Sequence, residues 1–236
     1  MDLYDVMRTT PAVREFTDDP LPDETLHRIL DHARFAPSGG NRQGTRIVVV
    51  RDQAARRRLA ELNGPAVRRY VAQAKAGQSP WNPLEPPAPS VAEIAATEIP
   101  DAFTAPLLSA GAVLVVCVDL GLVAAMDQDL DRVGLVAGAS VYPLVWNILL
   151  AARNEGYGGT ITTMAVAEED GVKELLGIPD RFALAAVVPI GRPVREVTRL
   201  RRHPVEELAT LETFDGEPLR APGQEPDGAD EGAAPR

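Results

Sequence analysis

The sequence has few of the side chains on which metal binding and acid–base catalysis depend. Its 236 residues include a single cysteine, Cys117, and three histidines, His27, His32 and His203. A single cysteine excludes an intrachain disulfide and a cysteine-based metal cluster. His27 and His32 are five residues apart and so miss the i, i+4 spacing of a zinc-binding pair on one helix face. We predict that the chain holds no metal.

The sequence also lacks the short motifs of several large enzyme classes. No serine lies in a GxSxG turn, and no histidine is placed to suggest a catalytic triad, so hydrolysis is poorly supported. Neither a GxxxxGK phosphate loop nor a GxGxxG motif follows any predicted strand, so the familiar nucleotide-binding folds are not indicated. What the chain offers instead is arginine side chains and glycine-rich turns.

The chain has no excess of basic residues. It contains 24 Lys and Arg against 34 Asp and Glu, a formal net charge of −10, which disfavours nucleic acid as a partner. The first residues, MDLYDVMRTT, do not show a basic region followed by an apolar one. We therefore expect no secretory signal and a cytoplasmic protein.

One long apolar segment, within residues 132–164, could form either a transmembrane helix or a helix buried in the protein core. Residues 133–152 carry no charge, and twenty such residues can cross a bilayer as a helix. Gly134, Gly138 and Pro143 dilute the run, and no second span accompanies it. We prefer a long central helix, buried on all sides against a large core or a second subunit, and expect no membrane association.

Other segments predict a mixed α and β chain. Apolar, β-branched runs predict buried strands at RIVVVRD, AVLVVCVDL and FALAAVVPIG, the first of them covered on both faces. Amphipathic periodicity predicts helices at LYDVMR, DETLHRILDHARFA, AARRRLAELN, PAVRRYVAQAK and AEEDGVKELLGI, with the arginine runs as solvated faces. Residues 192–214 read as an extended arm with a short helical part.

Residues 79–106 differ from the rest of the chain. They contain seven prolines and show little periodicity, which is typical of a functional lid or of disorder. Trp81 and Phe103 favour a lid over a substrate, because disordered segments seldom carry bulky aromatic residues. Residues 215–236 are rich in Gly, Pro and acidic residues and predict a disordered tail.

Two groups of arginines and one glycine turn are the candidate binding elements. The first group is Arg8, Thr9, Thr10 and Arg14; the second is Arg199, Arg201 and Arg202. Arginine suits phosphate, and the two groups could close on one anion, although solvated basic faces are the alternative. Three glycines, Gly156, Gly158 and Gly159, end the central helix where a cap needs one. The surplus suggests that something flat or bulky approaches the backbone.

Five segments of the chain together resemble the FMN-dependent nitroreductase family. In order they are MRTTPAVREF, APSGGNRQ, NILLAARNEGYGG, VVPIGRP and RLRRHPVEEL, and the resemblance covers residues 3–212. It implies an α+β, three-layer fold with a central mixed or antiparallel sheet flanked by helices. It also implies an obligate homodimer with two FMN sites at the dimer interface. One FMN-binding domain would span residues 1–214, with residues 79–106 as a lid insertion.

The resemblance also implies roles for individual residues. Arg8 would bind the FMN phosphate, Thr9 or Thr10 the ribityl and pyrimidine side, and Arg14 would lie near flavin N1 and O2. Arg202 would be a second phosphate ligand assisted by Arg201, with Arg192 a weaker candidate. The residues that would contact the isoalloxazine ring, usually from the partner subunit, are Pro37, Ser38, Gly39, Asn41 and Gln43. Those that would face flavin N5 are Gly158, Gly159 and Thr160.

The implied activity is hydride transfer from NAD(P)H through flavin N5 to a small electron acceptor in a ping-pong mechanism. Nitroaromatic, quinone and enone-like acceptors are the expected class, and no catalytic side chain is required because orientation carries most of the rate. Reductive dehalogenation, flavin fragmentation and dehydrogenation on the same fold remain alternatives, as does a non-catalytic flavin-binding module. The sequence does not distinguish NADH from NADPH.

Overall fold

The computed structural model describes residues 1–223, and the chain divides into two compact units, Met1–Thr198 and Arg199–Arg236. The described α-helices are α1 Leu3–Thr9, α2 Asp23–Ala33, α3 Gln53–Leu62, α4 Gly64–Lys75, α5 Val91–Ala95, α6 Ala105–Ser109, α7 Tyr142–Asn154, α8 Glu169–Leu176 and α9 Val205–Leu208. The described strands are β1 Thr45–Val50, β2 Ala112–Asp119, β3 Gly158–Gly159 and β4 Phe182–Gly191.

The four strands form one sheet with the order β1-β2-β4-β3 and antiparallel pairing throughout. Val115 in the middle of β2 pairs with Val48 of β1 and Val187 of β4. The three strands predicted from apolar runs are confirmed as β1, β2 and β4. β3 consists of two glycines and carries no side-chain pattern that would predict a strand.

Helices cover both faces of the sheet, because alternate residues of a strand point to opposite sides. Leu114 and Val116 belong to a core shared with α2 and α7. Val113, Val115 and Cys117 belong to a second core shared with α3, α6 and α8. The predicted three-layer α+β fold is confirmed.

The prediction that β1 is buried on both faces is wrong. Arg46 is exposed, and Val49 is 41% exposed. β1 lies at an edge of the described sheet, with β2 as its only neighbour there. An apolar run records which side chains can be buried, whereas the place of a strand in the sheet is decided by pairing with distant segments.

The central helix is shorter than predicted. α7 begins at Tyr142 and has 13 residues, while residues 136–140 form a 3-10 helix and residues 133–135 are exposed. Gly134 and Gly138 disfavour a continuous helix, and Pro143 is better suited to a first turn than to an interior. Only one face of α7 is buried within the chain, formed by Val145, Ile148, Leu149 and Ala152. No helix in residues 1–223 is long and apolar enough to span a bilayer.

One residue of the arginine run in α3, Arg56, is not solvated. Arg56 of α3 is only 3% exposed, and its guanidinium donates hydrogen bonds to the carbonyl oxygens of Val50, Ala110 and Gly111 at 3.2, 2.6 and 3.3 Å. Burial lowers the pKa of this guanidinium. Arg56 thus ties α3 to the end of β1 and the start of β2, whereas Arg57 and Arg58 are exposed as predicted.

In the second unit, residues 209–219 fold back on themselves. The Leu211 backbone N–H donates to the carbonyl of Glu217 at 2.8 Å, and that of Leu219 donates to the carbonyl of Ala209 at 2.9 Å. The first residues of the expected disordered tail, 215–219, are therefore hydrogen-bonded to the arm. Residues 224–236 of that tail lie outside the described residues.

Candidate functional site

The turn after α7 fixes the floor of the candidate site. Gly156 adopts a φ of +80° and ends the helix, with the Tyr157 N–H donating to the Ala152 carbonyl at 2.8 Å. Gly158 and Gly159 then pair with the end of β4. The turn delivers the chain directly into the sheet.

The surplus glycines have an internal explanation that differs from the expected ligand. A Cβ atom at Gly158 would lie 2.6 Å from Cγ2 of Val13, and one at Gly159 would lie 2.5 Å from the carbonyl oxygen of Pro189. Both distances are shorter than atoms tolerate. The absence of side chains here is required by the protein's own packing, so it is not in itself evidence of a ligand.

The N-terminal arm, residues 10–17, lies beside this turn. The Val13 N–H donates to the Gly159 carbonyl at 2.9 Å, and the Thr17 N–H donates to the Arg192 carbonyl at 2.9 Å. These bonds hold Arg14 next to the segment Gly158–Thr160, although the two are far apart in sequence. Arg14 and Thr160, both predicted site residues, are therefore brought together.

Arg14, Thr160 and Thr162 line a small cavity of about 40 Å³, with Phe103, Leu107 and Pro189 as its apolar wall. Thr160 is 5% exposed, and neither threonine hydroxyl is hydrogen-bonded within the described residues. Nor does Arg14 have an acidic partner within 4.0 Å in that part of the chain. The cavity holds about one water, so it forms the base of a binding site rather than its whole volume.

Arg14 also lines a larger cavity of about 310 Å³. Arg195, Glu15, Pro11 and Val197 also line it. Arg195 was not predicted as a site residue, because it comes beside Arg14 only through the pairing of residues 15–16 with residues 193–194. The lining thus holds two arginines and one carboxylate, a net positive charge that favours an anionic ligand.

The end of α1 carries the predicted phosphate and ribityl residues. Arg8 is exposed. Thr9 and Thr10 donate their hydroxyl hydrogens to the carbonyls of Asp5 and Val6, both at 2.6 Å, so each hydroxyl can only accept from a ligand. The Arg153 Nε donates to Thr9 Oγ1 at 3.3 Å. Arg153 belongs to this group and was missed, since nothing in the α7 sequence indicates which way its side chain turns.

The predicted ring-contacting loop, residues 37–43, lies elsewhere in the unit. Its Gly39 N–H donates to Ser140 Oγ at 3.0 Å, and its Gln43 N–H donates to Ser38 Oγ at 3.0 Å. Asn41 and Gln43 both have positive φ, near +50°, which these bonds help to hold. In the described chain none of its hydrogen bonds reaches Arg14 or Thr160. Such separation is expected of a loop, Pro37 included, that serves the site of a partner subunit.

The remaining predicted phosphate residues have different surroundings. Arg201 and Arg202 lie in the second unit, where Arg202 Nη1 donates to the Arg201 carbonyl at 2.7 Å. Their role stays a prediction. Arg192 forms an ion pair with Asp19 at 3.3 Å and is less available for an anion.

Part of the predicted lid is folded over α4. Phe103 packs edge-on against Tyr70 with ring centroids 5.5 Å apart, and Trp81 stacks on Arg69 with the guanidinium carbon 3.9 Å from the ring centre. Tyr70, Trp81 and Met164 line a cavity of about 440 Å³. Tyr70 was not predicted, because its position depends on the packing of the lid.

Other chemistry finds little support in the described residues. Residues 1–223 contain no group of three or more His, Cys, Asp and Glu side chains arranged to hold a metal. Burial raises the pKa of the Cys117 thiol to about 11, so little of it is thiolate near neutral pH.

Comparison with known proteins agrees with the resemblance found in the sequence. The model of the nitroreductase family matches residues 7–192. A curated NADH dehydrogenase of Thermus thermophilus is 30% identical over 202 residues, which cover 84% of this chain and 89% of the relative.

Two solved structures share the fold. An oxidized iodotyrosine deiodinase bound to FMN and 3-iodo-L-tyrosine has a TM-score of 0.65 and 22% identity, covering 90% of this chain and all of that one (100%). An NADPH:FMN oxidoreductase from Vibrio harveyi complexed with NAD+ has a TM-score of 0.63 and 22% identity, covering 90% of this chain and 77% of that one. With the family match spanning most of the first unit, the chain belongs to the nitroreductase family.

Proposed function

We propose that this FMN- and NAD(P)H-dependent oxidoreductase reduces a small, flat electron acceptor of the nitroaromatic, quinone or enone-like class in two half-reactions, as a homodimer. The observation that carries the proposal is the Arg14–Thr160 cavity. Arg14, a cation without an acidic partner in the described chain, and the buried residue Thr160, whose hydroxyl makes no hydrogen bond there, converge between the sheet and an aromatic lid. This combination supports a site for an anionic, planar group.

The donor set fits FMN. Arg14, Thr160 and the backbone of Gly158 and Gly159 would hold the ring, and Arg8 would hold the phosphate. Arg201 and Arg202 stay phosphate ligands proposed from the family resemblance alone. Residues 37–43 would complete the site from the partner subunit. When bound, FMN supplies reversible two-electron chemistry at N5. The side chain of Arg14 would stabilise the negative charge that reduction adds to the flavin ring.

The protein's remaining task is orientation and exclusion of water. Phe103, Tyr70 and Trp81 supply flat apolar walls that favour stacking of a planar acceptor. A nitro acceptor would follow ArNO₂ + NAD(P)H + H⁺ → ArNO + NAD(P)⁺ + H₂O. Among the described residues, no carboxylate, histidine or cysteine lines the Arg14 cavity or the Trp81 cavity, so the proton is expected to come from water.

Purified protein is expected to be yellow and to lose its colour anaerobically with NADH or NADPH.

Arg202→Ala should weaken FMN affinity by about 1–3 kcal/mol, the contribution of a charged hydrogen bond, as measured by fluorescence titration of FMN. Arg57→Ala, an exposed α3 arginine, is the control and should leave the affinity unchanged.

Colourless protein that takes up no FMN would overturn the proposed function. Bound FMN that neither nicotinamide reduces would favour dehydrogenase or flavin-fragmentation chemistry.

Apolar residues left exposed by the single chain support the homodimer. Tyr142 and Trp146 are 42% and 40% exposed on α7, and Leu135 is 72% exposed just before it. Two exposed aromatic residues one turn apart on a helix are typical of a subunit interface.

Trp146→Glu is expected to raise the dimer dissociation constant at least a hundredfold and to reduce FMN retention, because it places a charge where an aromatic anchor packs. Analytical ultracentrifugation over a concentration series measures the dissociation constant. Leu84→Glu, at an apolar lid residue that is 90% exposed, provides the comparison and should remain dimeric. Equal dissociation constants for the two variants would remove this face of α7 from the interface.

A further inference from the structure

An uncompensated cation, Arg69, is stacked on Trp81, which lines the cavity of about 440 Å³. Arg69 of α4 stacks its guanidinium on the ring of Trp81, with the guanidinium carbon 3.9 Å from the ring centre. Its Nε is buried without a hydrogen-bond partner. No carboxylate in residues 1–223 lies within 4.0 Å of it. Its positive charge is therefore not neutralised locally.

The position of Trp81 is fixed by the fold. Its backbone has a φ of +59°, a left-handed conformation that bulky residues rarely adopt. Its N–H donates to Oε1 of Gln73 at 3.1 Å, and Gln73 itself is 1% exposed. A strained residue persists only where its surroundings over-determine it, and such residues concentrate at binding sites. Trp81 is held as a wall rather than left as a mobile surface aromatic.

The cavity beside Trp81 has the size of a small aromatic ligand. Its volume is about 440 Å³, within the ordinary range of ligand pockets, and Ala66, Pro80, Met164 and Val166 make it apolar. Tyr70 lines this cavity and contacts Phe103, which lines the Arg14 cavity. The two cavities are therefore neighbours across the Tyr70–Phe103 pair.

The electrostatic balance of this region favours a negatively charged ligand. No acidic residue of the described chain lines the cavity, and a cation, Arg69, is stacked on Trp81, one of the residues of its wall. A neutral flat molecule gains only stacking. A flat molecule with a negative substituent gains stacking and attraction to Arg69.

We propose that the Arg69–Trp81 pair selects acceptors that are planar aromatic anions, such as ring systems bearing a carboxylate or sulfonate. This rests on the proposed function, because it specifies the substrate of the same site. Arg69 acts through Trp81 as a specificity-determining residue and takes no part in electron transfer.

The test compares 4-nitrobenzoate with 4-nitrobenzamide, which share ring and nitro group and differ in charge. Calorimetry on the oxidised holoenzyme gives the two dissociation constants, and steady-state assays give the two kcat/KM values. Wild-type protein should prefer the anion by about tenfold in both measurements. Arg69→Met keeps an apolar stem and should abolish the preference while binding the amide as before. Arg69→Lys should keep part of it, and Arg57→Met, the exposed control, should keep all of it.

Three results would overturn the inference while leaving the proposed function intact. One is an equal preference in wild type and Arg69→Met in a holoenzyme that turns over. A second is an equal loss of affinity for both ligands in Arg69→Met, which would make Arg69 merely structural. A third is an Arg69→Met variant whose flavin is reduced more slowly by NADPH but not by NADH, with its acceptor preference unchanged. That result would assign Arg69 to binding the additional phosphate of NADPH. If the proposed function itself is wrong, neither NADH nor NADPH will reduce the bound flavin. The calorimetric preference for 4-nitrobenzoate can still be measured then, because it needs no turnover, so the two failures are distinguishable.

Discussion

Gly159→Ala is expected to destabilise the protein by about 2–4 kcal/mol, the range of a severely overpacked core substitution. The added methyl group would lie 2.5 Å from the Pro189 carbonyl oxygen and 3.1 Å from Leu149 Cδ2. The carbonyl belongs to β4, so relief requires the pairing of β3 with β4 to open. The Val13–Gly159 hydrogen bond should weaken with it, displacing Arg14. Chemical denaturation measures the loss, and FMN titration should show weaker binding.

Gly134→Ala is the matched control for this substitution. A Cβ there would meet nothing closer than Asp127 Oδ1 at 3.8 Å, an ordinary contact, and Gly134 is exposed. Its effect should stay within about 0.5 kcal/mol, as for most surface changes. If both variants had the same unfolding free energy, the close approach of Gly159 to β4 would not describe the protein in solution.

Arg56→Met should cost about 2–4 kcal/mol in unfolding free energy. The substitution keeps a similar apolar volume but removes this donor from the carbonyls of Val50, Ala110 and Gly111, and an unsatisfied buried acceptor costs about 1–3 kcal/mol. The Gly111 carbonyl still accepts from Arg51 Nη1 at 3.0 Å, so its loss is the smallest. Removing a desolvated cation offsets part of the loss, which is why the expected value is below the sum of three bonds. Arg57→Met, on the exposed face of the same helix, should change stability little. Equal midpoints with equal m-values for the two variants would contradict the role of Arg56.

The sequence predicts the layers of the fold well and its edges poorly. Apolar runs identify β1, β2 and β4 because burial leaves a pattern in the side chains. β3 has no side chains and hence no pattern, and it forms because α7 ends in a turn directed at β4. The predicted central helix begins too early, because an uncharged run shows only that a segment can be buried and not that it is helical. Gly134, Gly138 and Pro143 determine that α7 begins at Tyr142.

The candidate site divides in a similar way. Arg14 and Thr160 could be predicted by resemblance, and the structure places them beside one cavity. Arg153, Arg195 and Tyr70 could not be predicted, since each depends on contacts between segments distant in sequence. Arg69 was predicted as a solvated arginine; its stacking on Trp81 is set by the conformation of the lid.

Two parts of the candidate site are held by different kinds of contact: the glycine turn, called the floor, and the lid residues Trp81 and Phe103, called the roof. The floor, where the arm meets Gly159, is fixed by backbone hydrogen bonds, so a change of residue there disturbs the sheet itself. The roof, Trp81 and Phe103, is fixed largely by side-chain contacts with Gln73, Arg69 and Tyr70. We therefore expect substitutions of Trp81 or Phe103 to alter the proposed choice of acceptor while leaving the backbone around Gly159 unchanged.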